Sequence, residues 1–270
     1  MISFSGDHLF RWQPGKYLGD KTSCIIISDE HHLAVDATGF PLILRMNDPR
    51  IQSGQTYLIG TIKDTVYFAC RVSHDNQFEW SLVRSALIHL PNQLFTLISS
   101  AIQILHFHYD HAFCGRCGNQ TIPLQGIRGL QCIACEFTIY PRISPSIIVL
   151  ITRGDYVLLA NAPRFKDGMY STLAGYVEAG ESSEHACHRE IYEEVGVHIE
   201  DPIYQGSQSW PFKHSLMLGY RAAWKSGEIK IDKTELADAQ WFHLSTLPKL
   251  PPHASIARGL IDTYRLERGF

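Results

Sequence analysis

Three glutamates, Glu190, Glu193 and Glu194, stand at i, i+3 and i+4 within AGYVEAGESSEHACHREIYEEVGV, residues 174–197. On a helix these positions are neighbours on one face, where like charges repel. Unless the face is simply solvated, something positive must offset that repulsion. Arg189, four residues before Glu193, can pair with it. Carboxylate oxygens gathered beside a glycine-rich loop, LAGYVEAGE, also suit Mg²⁺ or Mn²⁺, hard ions that share their shell with substrate phosphates.

A second constellation is made of sulfur. Cys114, Cys117, Cys132 and Cys135 form C-x2-C, fourteen intervening residues, then C-x2-C. Two tight knuckles of this kind place four thiolates around one tetrahedral Zn²⁺, and Gly115 and Gly118 suit the turns of the first knuckle. Two disulfides are the competing arrangement, which a reducing compartment disfavours. With no evident open ligand position the zinc is structural, one per chain. His106, His108 and His111 lie just upstream, but four cysteines already close the shell. Cys24, Cys70 and Cys187 are isolated in sequence and expected as small buried hydrophobes.

The elements that must position these groups follow from patterning. Residues 1 to about 90 are β-rich, with FPLILRMN and QTYLIGTIKDTVYFACRV broken by Gly, Asn-Asp-Pro and Asp. Leu94, Leu97, Ile98, Ala101, Ile102 and Leu105 recur at helical spacing behind Pro91-Asn92. After YPRISP a second β-rich region contains SIIVLIT, DYVLLANA, LMLGYRAAW and DAQWFHL, with helices at 182–195 and near 253–267. Ser182 or Ser183 caps the first of these, Gly196 ends it, and Cys187, Ile191 and Val195 form its buried stripe. The expected domains are 1–108, β-rich and ending in a helix; 109–141, the ribbon; and 142–270, an α/β domain.

Composition bounds the function. The 270 residues are 45% apolar and 19% charged, ordinary for a globular protein. A formal net charge of −3 gives no overall basic field for nucleic acid, although a local basic groove stays open. No apolar run approaches the roughly 18 residues that span a bilayer, so no membrane partner is expected. MISFSGDHLFRWQ lacks the charged-then-apolar pattern of a signal, and ERGF is not a peroxisomal tripeptide. The expected compartment is the cytoplasm.

Residues 175–197 also read G-x5-E-x7-R-E-U-x-E-E-x-G-U, where U is aliphatic, with Gly175, Glu181, Arg189, Glu190, Ile191, Glu193, Glu194, Gly196 and Val197 in place. This resembles the Nudix box at every position. The resemblance implies an α/β/α sandwich with a mixed sheet that hydrolyses nucleoside diphosphates linked to another moiety. In it, Glu190, Glu193 and Glu194 hold Mg²⁺ or Mn²⁺ and carry the catalysis, with Glu193 or Glu194 as base. Glu181 and Arg189 hold the loop–helix–loop in shape. A four-cysteine ribbon directly before the domain that carries the box is similar to the NADH pyrophosphatase subfamily, as is SQSWPFKHSLM at 207–217. The subfamily's run there is S-Q-P-W-P-F-P-x-S. Ser207, Gln208, Trp210, Pro211, Phe212 and Ser215 agree, whereas Ser209 and Lys213 replace prolines and free φ at both places.

Trp210 and Phe212 are rigid faces on which a flat base can stack, unless they are ordinary core residues. With Gln208, Ser209, Pro211, Lys213, His214 and Ser215 they make up the expected substrate loop. The resemblance adds Tyr140 and Tyr176 as base-stacking residues supplied by two subunits of a homodimer. It adds Ala257 near the substrate, Glu235 and the Ala174 carbonyl on the metal, and Arg84 as a substrate-binding arginine whose spacing to the first cysteine is shifted by one. The implied substrates are NADH and NAD⁺, cleaved to nicotinamide mononucleotide and AMP, and NAD-capped RNA. The substituted prolines keep open ADP-ribose, a diadenosine polyphosphate or coenzyme A. A non-catalytic nucleotide- or RNA-binding module is the remaining alternative, which an intact set of metal carboxylates opposes.

Overall fold

The computed structural model describes residues 21–270 apart from 52, 53, 76, 88, 166 and 213. The described chain forms two compact units that part between Arg142 and Ile143.

In the first unit the strands are β1 (Thr22–Ser28), β2 (His32–Val35), β3 (Ile43–Arg45), β4 (Gln55–Ile62), β5 (Thr65–Val72) and β6 (Glu79–Leu82). They make one sheet in the order β4-β5-β1-β2-β6, with β3 on β1. β1 and β5 run parallel, so the central pairing joins segments far apart in sequence. A short helix α1 (Val83–Leu87) precedes α2 (Asn92–Asp110). Leu97, Ile98, Ala101, Ile102 and Leu105, five of the residues expected at helical spacing, are buried on α2. The ribbon strands β7 (Thr121–Pro123), β8 (Leu130–Cys132) and β9 (Thr138–Ile139) form a small sheet of their own. The ribbon lies within this unit, and the Arg128 guanidinium donates to the Ile59 carbonyl on β4.

Cys24 and Cys70 are not isolated in space. The parallel β1–β5 pairing brings them to one face, where their thiols meet in the core beside Ile26, Ala34 and Phe78. Their separation in sequence conceals this, because only the strand order makes them neighbours.

The second unit contains β10 (Ser144–Arg153), β11 (Tyr156–Asn161), β12 (Leu173–Tyr176), α3 (Ser183–Val195), β13 (His198–Ile199), β14 (Ile203–Trp210), β15 (Ser215–Ser226), β16 (Asp238–His243) and α4 (Ile256–Glu267). Its mixed sheet runs β13-β15-β10-β11-β16, with β12 on β10 and β14 on β15, and only β10–β15 is parallel. β10 shows why SIIVLIT is an unbroken apolar run. Ile147, Val149 and Ile151 pack on one face with Ala186, Cys187, Ile191 and Val195 of α3. Ile148 and Leu150 pack on the other with Ile256, Ala257, Leu260 and Ile261 of α4. A strand covered on both faces has no polar side to alternate with. The result is the α/β/α sandwich.

Candidate active site and zinc centre

Helix α3 is framed as its sequence demands. Ser182 Oγ accepts from the His185 amide at 3.2 Å, and Gly196, at φ 70°, returns its amide to the Tyr192 carbonyl at 2.9 Å. A left-handed residue there is cheap only for glycine. The loop beyond covers the next free carbonyls: Lys230 N donates to Val195 O and Asp232 N to Glu194 O, both at 2.9 Å. This second contact holds the loop that bears Glu235 against the end of α3.

Arg189 supplies the positive charge that the glutamate face needs. Its Nε and Nη2 fork onto Glu181 at 2.8 Å each, Nη1 reaches Glu190 at 2.9 Å and Glu193 at 3.0 Å, and Nη2 also donates to the Tyr176 carbonyl at 3.0 Å. The Arg189 fork holds the Glu181 carboxyl down to about 2. One guanidinium thus ties the loop to the helix and to β12. Gly175 on β12 lies directly beneath the Glu190 carboxylate, in the space a Cβ would fill. That close approach, not backbone flexibility, is the reason for glycine.

Glu194 is different. It is buried at 7% exposure, and among the described residues its carboxylate accepts no hydrogen bond. Burial, then the negative charges of Glu190 and Glu235, push its carboxyl up to about 8. Burial also raises Glu190, with Glu193 and Glu235 adding to the shift against Arg189. Glu235 therefore acts on both, although it lies forty residues beyond the helix. Arg164 is the basic group that partly relieves Glu194, and no pattern in NAPRFKDG pointed to it. The Glu190, Glu194 and Glu235 carboxylates repel one another, a repulsion that a hard divalent cation relieves, although in this structure no three of them bring ligand atoms within 4.8 Å of one another. Glu190, Glu193, Glu194 and Glu235 would hold Mg²⁺ or Mn²⁺. Ala174, exposed on β12 next to Gly175, is placed on the same strand edge.

The expected substrate loop is the β14–β15 hairpin. Trp210 and Phe212 are half-buried with ring centroids 5.3 Å apart, edge to face. Ser209 lies in regular pairing opposite Leu216, Pro211 is buried, and His214 adopts φ 56°. His214 O accepts from Ser144 N at 3.0 Å. Lys213 lies outside the described residues. Ser215 Oγ and Tyr176 Oη are 3.2 Å apart, joining the hairpin to β12. Gln208 is buried with both ends of its amide engaged: Nε2 donates to Ala254 O at 2.7 Å, and Oε1 accepts from Ile256 N at 2.8 Å. It anchors the start of α4, and Ala257 is buried one residue further on. Arg84 and Tyr140 belong to the first unit and are exposed there.

The cysteine centre is compact. Sγ atoms of Cys114 and Cys135 lie 3.7 Å apart, and those of Cys117 are 3.4 Å from both Cys132 and Cys135. All seven cysteines are free thiols, so the two-disulfide arrangement is excluded. A zinc tetrahedron with Zn–S of about 2.3 Å has edges of about 3.8 Å, close to these spacings. Backbone amides of Arg116 and Ala134 point at the Cys114 and Cys132 sulfurs, both at 3.4 Å, as a thiolate centre needs. The Asn119 amides hold the Cys117 thiol down to about 6.

Comparison with known proteins agrees with this geometry. The NUDIX domain model matches residues 142–264, and the NADH pyrophosphatase zinc ribbon domain model matches residues 110–140. The NUDIX hydrolase from Nitrosomonas europaea superposes with a TM-score of 0.50 at 18% identity, over 58% of this chain and 91% of that one, which speaks for the fold alone. Curated relatives reach 49% and 50% identity over 189 residues, 70% of this chain and 68% of theirs. The chain belongs to the Nudix hydrolase family, in the group that carries this zinc ribbon. Those relatives are the proteins named NAD-capped RNA hydrolase NudC in Pseudomonas syringae pv. syringae (strain B728a) and in Pseudomonas aeruginosa PAO1.

Proposed function

We propose that the chain hydrolyses the pyrophosphate bond of NAD(H), giving nicotinamide mononucleotide (reduced from NADH) and AMP, and removes NAD caps from RNA by the same cleavage. The observation that carries this reading is Glu194, buried without a donor beside Glu190 and Glu235. Such a carboxylate set is built for a cation and for a substrate that brings phosphate to it. The half-identity to NAD-capped RNA hydrolases supports NAD as the substrate.

Mg²⁺ or Mn²⁺, when bound, supplies charge neutralisation at the pyrophosphate oxygens. The chain's own residues do the rest. Glu190, Glu193, Glu194, Glu235 and the Ala174 carbonyl would hold the cation, and Arg189 keeps the loop and helix in register. Glu193 or Glu194 takes the proton of the attacking water. Trp210 and Phe212 present apolar faces to a base, with Ser209, Pro211, Lys213, His214 and Ser215 shaping the hairpin. Gln208 and Ala257 set the floor through α4. Tyr140 and Tyr176 stack on the bases, supplied by two subunits of a homodimer. The working division remains 1–108, 109–141 and 142–270. No helix among the described residues is long and apolar enough to cross a membrane.

The test is a product assay with NADH, NAD⁺, ADP-ribose and NAD-capped RNA, with and without Mg²⁺ or Mn²⁺. AMP with reduced nicotinamide mononucleotide, and 5′-monophosphate RNA, are expected only with divalent ion. Preferential turnover of ADP-ribose, or turnover of none of the four, overturns the reading.

A further inference from the structure

The first unit holds a second set of metal-ligating side chains that the ribbon does not use. Among the described residues, two groups of His, Cys, Asp or Glu bring three or more ligand atoms within 4.8 Å of one another. One is the cysteine centre. The other is Glu30, His32 and His74. They come from two connections: Glu30 in the turn between β1 and β2, with His32 opening β2, and His74 just after β5.

The backbone around them is fastened. His32 N donates to Ser28 Oγ at 3.0 Å, Asp29 N to Val72 O at 3.0 Å, and His74 N to Asp29 Oδ1 at 3.1 Å. His74 Nδ1 lies 2.7 Å from Glu30 Oε2. The His32 and His74 rings are 4.8 Å apart, and Trp80 stands edge-on to His74 at 5.0 Å. His31, between Glu30 and His32 in sequence, is engaged elsewhere, its Nδ1 3.0 Å from His106 Nε2 on α2. Among the described residues, His32 Nδ1 is buried and has no hydrogen-bond partner.

We propose that Glu30, His32 and His74 form a second divalent-cation site in the first unit, taking a late first-row ion of the zinc class. A plain Glu30–His74 ion pair accounts for one contact and leaves the buried His32 nitrogen unexplained. A cation accounts for all three side chains. Two imidazoles and one carboxylate are borderline donors that suit Zn²⁺, Co²⁺ or Ni²⁺, whereas Mg²⁺ prefers an all-oxygen shell. The set is therefore distinct in chemistry from both the thiolate centre and the carboxylate helix. Three protein ligands leave a further position to solvent, on the side where Glu30 is 66% exposed. The bound ion clips the β1–β2 turn to the connection after β5, reinforcing the Asp29 bond that already joins them.

The experiment uses the full chain with its ribbon zinc retained and Mg²⁺ in excess to fill the carboxylate helix. Zinc binding is measured by equilibrium dialysis for the wild type, Glu30→Gln and His74→Ala. The wild type takes up one equivalent per chain beyond the ribbon zinc, and each variant loses it. Glu30→Gln alters an exposed side chain, so its fold is unaffected and its result stands alone if His74→Ala misfolds. Cobalt bound in that equivalent shows ligand-field absorption without sulfur-to-metal charge transfer. If Glu30→Gln binds zinc as the wild type does, or the extra cobalt carries sulfur charge transfer, the three residues are an ion pair and a neighbour only.

Discussion

The two centres signalled by charge and spacing are assembled in opposite ways. The four cysteine sulfurs already stand at 3.4–3.7 Å, with amides from their own knuckles pointing at them. Their positions are set by two short turns, so the shell closes locally and an ion completes it. The glutamates stand on one helix, but their surroundings come from everywhere else: Glu181 and Tyr176 before it, Asp232 and Glu235 after it. Arg189 neutralises the outer carboxylates and leaves Glu194 buried and raised. A structural site is thus satisfied by its own segment, whereas a catalytic site keeps charge unsatisfied until cation and substrate arrive.

Removing that unsatisfied charge gives the largest effect. Glu190→Gln and Glu194→Gln each lower turnover by about a hundredfold or more, roughly 3 kcal/mol of transition-state stabilisation, with the fold intact by circular dichroism. Steady-state kinetics in excess Mg²⁺ or Mn²⁺ checks this. Near-normal turnover in both variants reduces the cluster to a solvated face.

Stability against pH in chelator separates the buried carboxylate from the one that Arg189 satisfies. Glu194 has a folded-state value of about 8 against an ordinary 4.5, so folding favours its protonated form. Its contribution is fully present below about pH 4.5 and is lost as pH rises through about 8. Denaturant unfolding in EDTA should show the wild type losing a few kcal/mol relative to Glu194→Gln across that window. Glu181 has the opposite sign: held down to about 2, it stabilises above its ordinary 4.5 and stops doing so as pH falls toward 2. That acid limb should be the same in wild type and variant.

Gly175→Ala sharpens the comparison at one atom. The new methyl takes the place of the Glu190 carboxylate, which is the mobile end of a side chain and can move aside. Turnover should fall about tenfold to a hundredfold through misplacement of that carboxylate, with little change in melting temperature. A large loss of stability instead would mean that the strand, not the carboxylate, gives way.

The smallest effect belongs to the helix cap. Ser182→Ala removes one side-chain bond to the His185 amide and should cost about 1 kcal/mol in unfolding experiments, with turnover within about twofold of wild type.

Much of this was legible because it is local. Ser182, Gly196 and the Cys187, Ile191, Val195 stripe follow from helix geometry, and the cysteine spacing from the turns that carry it. What periodicity missed is tertiary. The pairing of Arg189 with Glu193 is visible at four residues' distance, but its fork onto Glu181 needs the loop to fold back. Glu235 and Arg164 reach Glu194 through loops whose paths no pattern encodes, and Glu235 was expected from family resemblance alone. Gln208 is expected in the substrate loop from its place in the SQSWPF run, and the run does not show what its amide bonds to. It is buried, and its amide is engaged by the backbone at 254 and 256. Cys24 and Cys70 meet through a parallel pairing that sequence order hides.

The central claim is that the glutamate face is destabilising by itself and is relieved by a divalent cation. The most direct measurement is the melting temperature of wild type and Glu194→Gln at about pH 8, in EDTA and again in excess Mn²⁺. The account predicts that the variant melts above the wild type in EDTA, and that Mn²⁺ raises the wild type while leaving the variant nearly unmoved. A variant that melts below the wild type in EDTA, or that responds to Mn²⁺ as the wild type does, would contradict it.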